Sequence, residues 1–479
     1  MLTNPNKPNK DHFGVKGVTV ARERNRLLAS VIAETAWSQR QLAAAVARVA
    51  TETGASELAA VRQSHVTMWV NGTRPEPRTA LILCETLSRR LSRTVTPAHI
   101  GLTPPADEED TRPAWDIDTA TALADFGDSM TMNRRTALTA TAYSAAGAAL
   151  PPPAWWEETR DSARTQPPRT RLTVTVGHVA AVRDAGRFYS GQDQRLGGGA
   201  GRTALAAYLR TDAAAYLAAR FPSEHVRRDL LTAAAELVYL AGWTSFDIGE
   251  HAVAQRQFGV ALRLAAEADA PALAGHILRA AAHQAVDLGH PRRALELAEG
   301  SMAERRYKLA TPRERALLGV VHARALAISG QKKEALTALT RASTDLAAAG
   351  PGIEEPDRVG FFGEASLAHE SACTLRDLGD LKGAETAFRH SVRTRGLPYA
   401  RTFSVTLGYL GQVQVGQGHL DDACGTWNRA LDAMAGIRSG RARDTVVQMR
   451  RSLSPVKGRG GSTAADLDQR AREFLAHVV

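Results

Sequence analysis

The sequence predicts an all-α protein: a small helical head followed by a long solenoid of stacked helical hairpins. Three observations carry this. Alanine is abundant while aromatic residues make up only 5% of the chain, a balance that favours helices over sheets. Five imperfect copies of one pattern run from about Asp229 to Arg438. The first 105 residues hold 14 Lys/Arg against 7 Asp/Glu, so +7 of the net +10 sits in about a fifth of the chain. A basic end on a balanced body is the electrostatic footprint of a nucleic-acid-binding domain.

Residues 1–20, rich in Asn, Pro and Lys at their start, read as a disordered tail without the apolar core of a signal peptide. An amphipathic helix is expected over 21–36, with Leu27, Leu28, Val31 and Ile32 inward. Ser38 is a good N-cap for a second helix whose apolar face begins at Leu42 and Ala43. In the stretch from Val61 to Pro75, positions 61, 66, 69 and 70 form one apolar face that includes Trp69. Asn71-Gly72 stops that helix and Pro75 marks its exit. A closing helix over 81–91 completes a head that ends near Leu102, giving a domain over 21–103.

The Ser38-Gln39 start and the stretch from Gln63-Ser64 through Val66 to Gly72 resemble the phage-repressor (XRE-like) class of helix-turn-helix domains. The family needs only a short turn where this chain has about a dozen extra residues, Arg48 to Ala60. The resemblance implies that the third helix enters the major groove of double-stranded DNA, with Arg62, Gln63, Ser64, Thr67 and Met68 outward near its tip. Gln suits adenine, Ser and Thr either base type, and a methyl-bearing side chain thymine. It further implies phosphate contacts from Gln39 and Asn71, with Arg40 and Arg74 adding charge that carries no sequence information.

Residues 104–170 read as a linker containing a helix. Its first part, 104–128, carries a net −7 and reads as a solvated spacer. Asn133-Arg134-Arg135 and the small-residue run to Leu150 mimic a twin-arginine export signal. They stand too far into the chain, behind a folded domain, to be read as one. The run of about 15 residues is also short of the roughly 20 needed to span a bilayer, and it is expected to form a helix packed on the solenoid. Pro151-Pro152-Pro153 precedes Trp155-Trp156, a clamp for the next helices. The glycine-rich 197–201 fails as a phosphate loop, because Leu196 and Arg202 replace its first glycine and its lysine and no strand precedes it. It reads as a flexible inter-helix loop, followed by an alanine-rich helix over 203–221.

The solenoid, within 171–455, rests on glycines followed five residues later by alanines: Gly249–Ala254, Gly289–Ala294, Gly330–Ala335, Gly379–Ala384 and Gly418–Ala423. Four residues past each alanine stands a packing residue, Phe258, Ala298, Leu339, Phe388 or Trp427. Seven residues before each glycine stands a small one, Gly242, Ala282, Ala323, Ala372 or Gly411. Successive alanines lie 40, 41, 49 and 39 residues apart. A small residue lets two helices approach, a glycine ends the first, and the alanine with its larger neighbour faces back across the pair.

In this order the positions resemble the tetratricopeptide pattern with lengthened loops. The resemblance implies a superhelix whose concave face binds a peptide, small-molecule or protein effector. The groove-facing sites it implies are Tyr239, Trp243, Arg279, His283, Arg324, His369, Arg376 and Gln412, with Phe246, Asp247, Asp287 and Asp377 beside them. The alternative is that the arginines pair with those aspartates and only stiffen the array. After the last repeat, 438–451 reads as a basic helix, and 456–479 as a flexible tail with a capping helix from Ala464.

Cys84, Cys373 and Cys424 lie far apart, so neither a disulfide framework nor a metal site is indicated, and a reducing cytoplasm is expected. No nucleophile–base pair or cofactor loop survives inspection, so the expectation is a protein that is not an enzyme and uses no cofactor or membrane. The whole layout resembles the transcriptional regulators of filamentous actinobacteria, and also the peptide-pheromone-responsive regulators of Gram-positive bacteria. The resemblance implies a homodimer controlling development or secondary-metabolite genes. The competing expectation is a cytoplasmic interaction scaffold whose head binds protein.

Overall fold

The computed structural model describes residues 23–52, 55, 58–102, 114–116, 118–124, 143–145, 147–455 and 461–477. These are helices, turns and connecting chain, with one isolated bridge between Thr173 and Arg220.

The head is α1 (Arg26–Glu34), α2 (Gln39–Glu52), α3 (Gln63–Val70) and α4 (Pro77–Leu91) around a core that includes Leu28, Leu42, Val46, Val66, Trp69 and Leu83. Of the extra residues Arg48 to Ala60, those up to Glu52 continue α2, while 58–60 are turn. Ser38 and Gln41 cap α2 reciprocally: Gln41 N–H donates to Ser38 Oγ at 3.3 Å and Ser38 N–H to Gln41 Oε1 at 2.9 Å. Asn25 closes the domain by capping α1 through Leu28 N–H and donating its amide to the Ile100 carbonyl at 2.8 Å.

The linker departs from expectation in two places. Its described acidic part is no spacer in solvent: Trp115 and α5 (Thr119–Ala124) lie against the array, with Leu123 buried and the Thr119 hydroxyl donating to Glu267 at 2.7 Å. Apolar side chains placed among the acids drive this. The helix expected up to Leu150 falls largely in 125–142, outside the described residues, and the described residues from 143 to 150 are turn and extended chain. Pro151 disfavours helix in the residue before it. The segment still packs as expected, with Tyr143 buried and Ser144 exchanging hydrogen bonds with Gln255. The tryptophan clamp opens α6 (Trp155–Thr165); Trp155 is buried and Trp156 Nε1 donates to Asp269.

Next come α7 (Val176–Leu196), then α8 (Arg202–Tyr208), one π turn (Leu209–Ala213) and α9 (Ala214–Leu217). Five hairpins follow. They are α10 (Glu224–Asp247) with α11 (His251–Glu267), α12 (Pro271–Asp287) with α13 (Pro291–Ser301), and, after the short α14 (Arg305–Lys308), α15 (Pro312–Ile328) with α16 (Lys332–Ala347). The last two are α17 (Glu364–Asp377) with α18 (Leu381–Thr394) and α19 (Ala400–Gly416) with α20 (Leu420–Ala433). Every turn glycine of the pattern adopts positive φ, from +74° at Gly289 to +88° at Gly249, so the first helix of each pair ends where only glycine is unstrained. All five alanines are fully buried, and Phe258, Ala298, Phe388 and Trp427 are buried as their spacing predicts, with Leu339 partly so. The repeated pattern is thus one packing arrangement used five times.

Two terminal helices, α21 (Gly440–Leu453) and α22 (Gly461–His477), close the last hairpin, with Ala464, Leu467 and Ala471 buried against it. The array also meets itself. Arg401 of α19 reaches Asp247 of α10 at 3.3 Å and Asp193 of α7 at 3.1 Å, all three buried. The glycine loop expected to be flexible is clamped at this junction. Gly199 N–H donates to the Arg438 carbonyl at 2.8 Å, Arg438 N–H to the Leu196 carbonyl at 2.7 Å, and Gly198 N–H to Asp247 at 2.9 Å. A Cβ at Gly198 would fall 2.6 Å from the Thr244 carbonyl oxygen, so these glycines serve close approach rather than mobility.

Candidate functional site

In the head, α3 buries Val66, Trp69 and Val70 and turns Gln63, Ser64 and Met68 outward, with Met68 45% exposed. Arg62, the N-cap residue of α3, and Arg40, in the first turn of α2, are exposed, as are Asn71 and Arg74 beyond the C-terminus of α3. Gly72 at φ +94° ends the helix, and Thr73 N–H returns to the Met68 carbonyl at 2.9 Å. Thr67 is half-buried: its hydroxyl donates to Gln39 Oε1 at 2.6 Å, tying α3 to the first turn of α2. The structure therefore spreads Arg62, Gln63, Ser64, Met68, Asn71 and Arg74 along α3 from its start to beyond its end, and engages Gln39 and Thr67 with each other.

The head rests on the array through α4, away from that face. Glu85 accepts from His290 Nε2 at 2.7 Å, with both side chains buried, and Arg89 bonds Glu85 at 2.8 Å. Burial opposes the Glu85 charge, but His290 and Arg89 outweigh it and hold the carboxyl below its ordinary range.

Inside the array lies a cavity of about 660 Å3. Of the expected groove residues it gathers Tyr239, Trp243, Arg279, His283 and His369. Arg324, Arg376 and Gln412 are not on its wall. Arg324 is buried in ion pairs with Asp287 at 3.1 Å and Glu370 at 3.3 Å, and Arg376 pairs with Asp377 at 2.8 Å. For these two arginines the stiffening alternative describes the geometry. The expected concave groove is instead partly covered: α7 lines one side, and the chain between α16 and α17 enters it with Arg358, Phe361 and Phe362. Arg358 binds Glu314 at 2.7 Å and Glu236 at 2.7 Å. Sequence reasoning missed Arg358, Arg395, Arg401 and Arg441; the 49-residue spacing was the only sign of the entering chain.

Several buried imidazoles stand around this interior. Burial pushes His276 and His369 down to about 3 and His251 to about 4. His276 faces Glu314 at 3.4 Å, and His369 Nδ1 lies 2.8 Å from the Thr406 hydroxyl. Burial opposes the charge of Glu314, yet Arg358 and His276 bring it down to about 2. All these groups bind protons more readily in the unfolded chain, so their stabilisation is complete above the unfolded values. It is lost as pH falls, from about 6.5 towards 3 for the histidines and from about 4.5 towards 2 for the glutamate. Thermal melts should therefore show a midpoint that declines steadily below pH 6.5. Asp193 and Asp444, which burial raises to about 6, gain stability over the same range and temper the decline. A midpoint that rises as pH falls from about 6.5 to about 4.5 would contradict the neutral burial of these rings.

A family model described as the SP15 N-terminal domain matches residues 28–103, which is the head from within α1 to its end. Neither the curated proteins nor the solved structures contain a match to the chain. Among the described residues, no helix is long and apolar enough to cross a membrane.

Proposed function

We propose that this chain is a cytoplasmic DNA-binding transcriptional regulator, with a repressor-type helix-turn-helix head and a tetratricopeptide-like array that receives a signal. The observation that carries the reading is α3. Its apolar side is sealed in the head core, while Gln63, Ser64 and Met68 project from a basic domain whose contact with the array is made elsewhere. A polar helix tip flanked by Arg40, Arg62 and Arg74 suits a major groove bordered by phosphates. The Thr67–Gln39 bond gives α2 and α3 a fixed relation, so Thr67 both positions the reading helix and lies near its tip. Dimerisation, expected for a regulator of this layout, would place two heads on one operator.

The test is selection of duplexes from a random pool by the full chain, followed by salt titration. Gln63→Ala is expected to relax sequence preference by about 1–3 kcal/mol at one base pair. Arg74→Ala should instead weaken all duplexes alike and flatten the salt dependence. If the full chain shows no salt-sensitive duplex binding, the reading fails and the scaffold alternative takes its place.

A further inference from the structure

The cavity inside the array is lined by two kinds of arginine. Arg358, Arg401 and Arg441 reach carboxylates: Glu314 and Glu236, Asp193 and Asp247, and Asp287. Arg279 and Arg395 reach none within salt-bridge distance among the described residues. Arg279 is 2% exposed and donates to the Tyr239 hydroxyl at 2.8 Å, while its Nε has no partner. Arg395 donates to the Ala365 carbonyl at 2.9 Å and to the Ser391 hydroxyl at 3.0 Å, and its Nε is likewise unpartnered. Burial without an ion pair pulls the Arg395 guanidinium down to about 10.

A buried charge left unpaired is costly and persists only where something answers it. The wall answers it only in part: Glu370 acts on Arg395 from beyond salt-bridge distance, and its closer partner is Arg324. Asp193 is held by Arg401, Glu236 by Arg358 and Glu370 by Arg324, so the interior's surplus is cationic. Apolar surface adjoins the surplus. The Arg279 guanidinium lies 5.5 Å from the Trp243 ring centroid, and Phe361 and Phe362 line the same space. Exposed Glu354 and Asp357 also lie on the wall, so the cavity reaches solvent beside the entering chain. Its volume falls in the range of roughly 300–1,000 Å3 usual for small-molecule sites.

We propose that the cavity binds a small organic anion, with its carboxylate or phosphate on Arg279 and Arg395 and its apolar body against Trp243, Phe361 and Phe362. This deepens, and rests on, the reading of the array as a signal receiver. A bound acid group would supply the negative charge that no carboxylate within salt-bridge distance gives these two guanidinium groups. Because the wall joins α7 and α10 to Arg401 and Thr402 of α19 and Arg441 of α21, occupancy ties together the two ends of the array.

The experiment measures thermal stability and calorimetric binding of the full chain with inorganic phosphate, phenyl phosphate, 3-phenylpropionate and the neutral 3-phenylpropionamide. Phenyl phosphate or 3-phenylpropionate should raise the melting temperature saturably, with the amide inactive; the stronger of the two identifies the acid group. Inorganic phosphate should bind more weakly than phenyl phosphate, because it lacks the apolar body. Arg279→Met should weaken the organic anion by about tenfold or more. Arg395→Met gives the same readout should the first variant not fold. The proposal is overturned if neither organic anion binds, if the amide binds equally, or if the variants respond as the parent does. Duplex binding measured on the same samples separates this failure from failure of the regulator reading.

Discussion

Gly411→Leu is expected to unfold the last hairpin well below the transition of the parent chain. A Cβ at Gly411 would lie 2.3 Å from Trp427 Nε1 and 2.5 Å from its Cδ1, so even alanine forces the indole to move. The indole has nowhere to go. It is fully buried, and its N–H donates to the Gly408 carbonyl at 3.0 Å. A Cβ at Gly408 would in turn meet Thr445 of α21, so the displaced ring cannot be taken up by shifting α19 towards α21. Overpacking costs about 1–3 kcal/mol, and losing a buried hydrogen bond adds about 1 kcal/mol. In a stacked array the damage should stay with its neighbours, so hydrogen exchange should rise in α19 to α22 and little in the head. Gly425→Ala, on the adjacent α20, is the internal control. An added Cβ there meets nothing within 4 Å, and the helix should gain up to about 1 kcal/mol. Unchanged exchange in α19–α22 of Gly411→Leu would refute the close-approach account.

That contrast also shows what the sequence made legible. Gly411, Gly418, Ala423 and Trp427 could be read together because each answers a local demand: close approach, a left-handed helix end, a flat contact and a ring to fill the space. Such demands recur at fixed spacing in every hairpin, so periodicity exposed them. In the head, the end of α3 at Gly72 and the burial of Trp69 were legible for the same reason. Closure of the array was not. It depends on Arg401 meeting Asp193 and Asp247, partners separated by 208 and 154 residues, and no local pattern announces such a pair. The candidate site was therefore read in part. Tyr239, Trp243, Arg279, His283 and His369 followed from helix register, whereas Arg395 and Phe361 lie on connecting chain outside any register. Register also could not say which arginines keep a carboxylate partner, which is why Arg324 and Arg376 were grouped with Arg279.

Arg358→Met should be the most damaging single change in the chain that enters the cavity, at about 3–5 kcal/mol. Arg358 makes a two-pronged contact with Glu314, Nε to Oε1 at 2.7 Å and NH2 to Oε2 at 2.9 Å, and a third bond to Glu236 at 2.7 Å. Glu314 is fully buried in the first turn of α15, where the N-terminal end of the helix favours its charge but cannot replace a guanidinium. With methionine at 358, Glu314 keeps only His276 at 3.4 Å, an imidazole that burial holds neutral at neutral pH. The carboxyl must then take up a proton or leave the interior, so the destabilisation should be largest at neutral pH and shrink towards pH 4. Loss of the tie also frees the connection that brings Phe361 and Phe362 to the cavity wall, so protease sensitivity should appear between α16 and α17 before it appears elsewhere. Adding Glu314→Gln to Arg358→Met removes the orphaned charge and should recover part of the loss, a positive coupling that a merely packing role for Arg358 would not give. If the double variant is as unstable as the sum of the single ones, the ion pair is not what holds this connection in place.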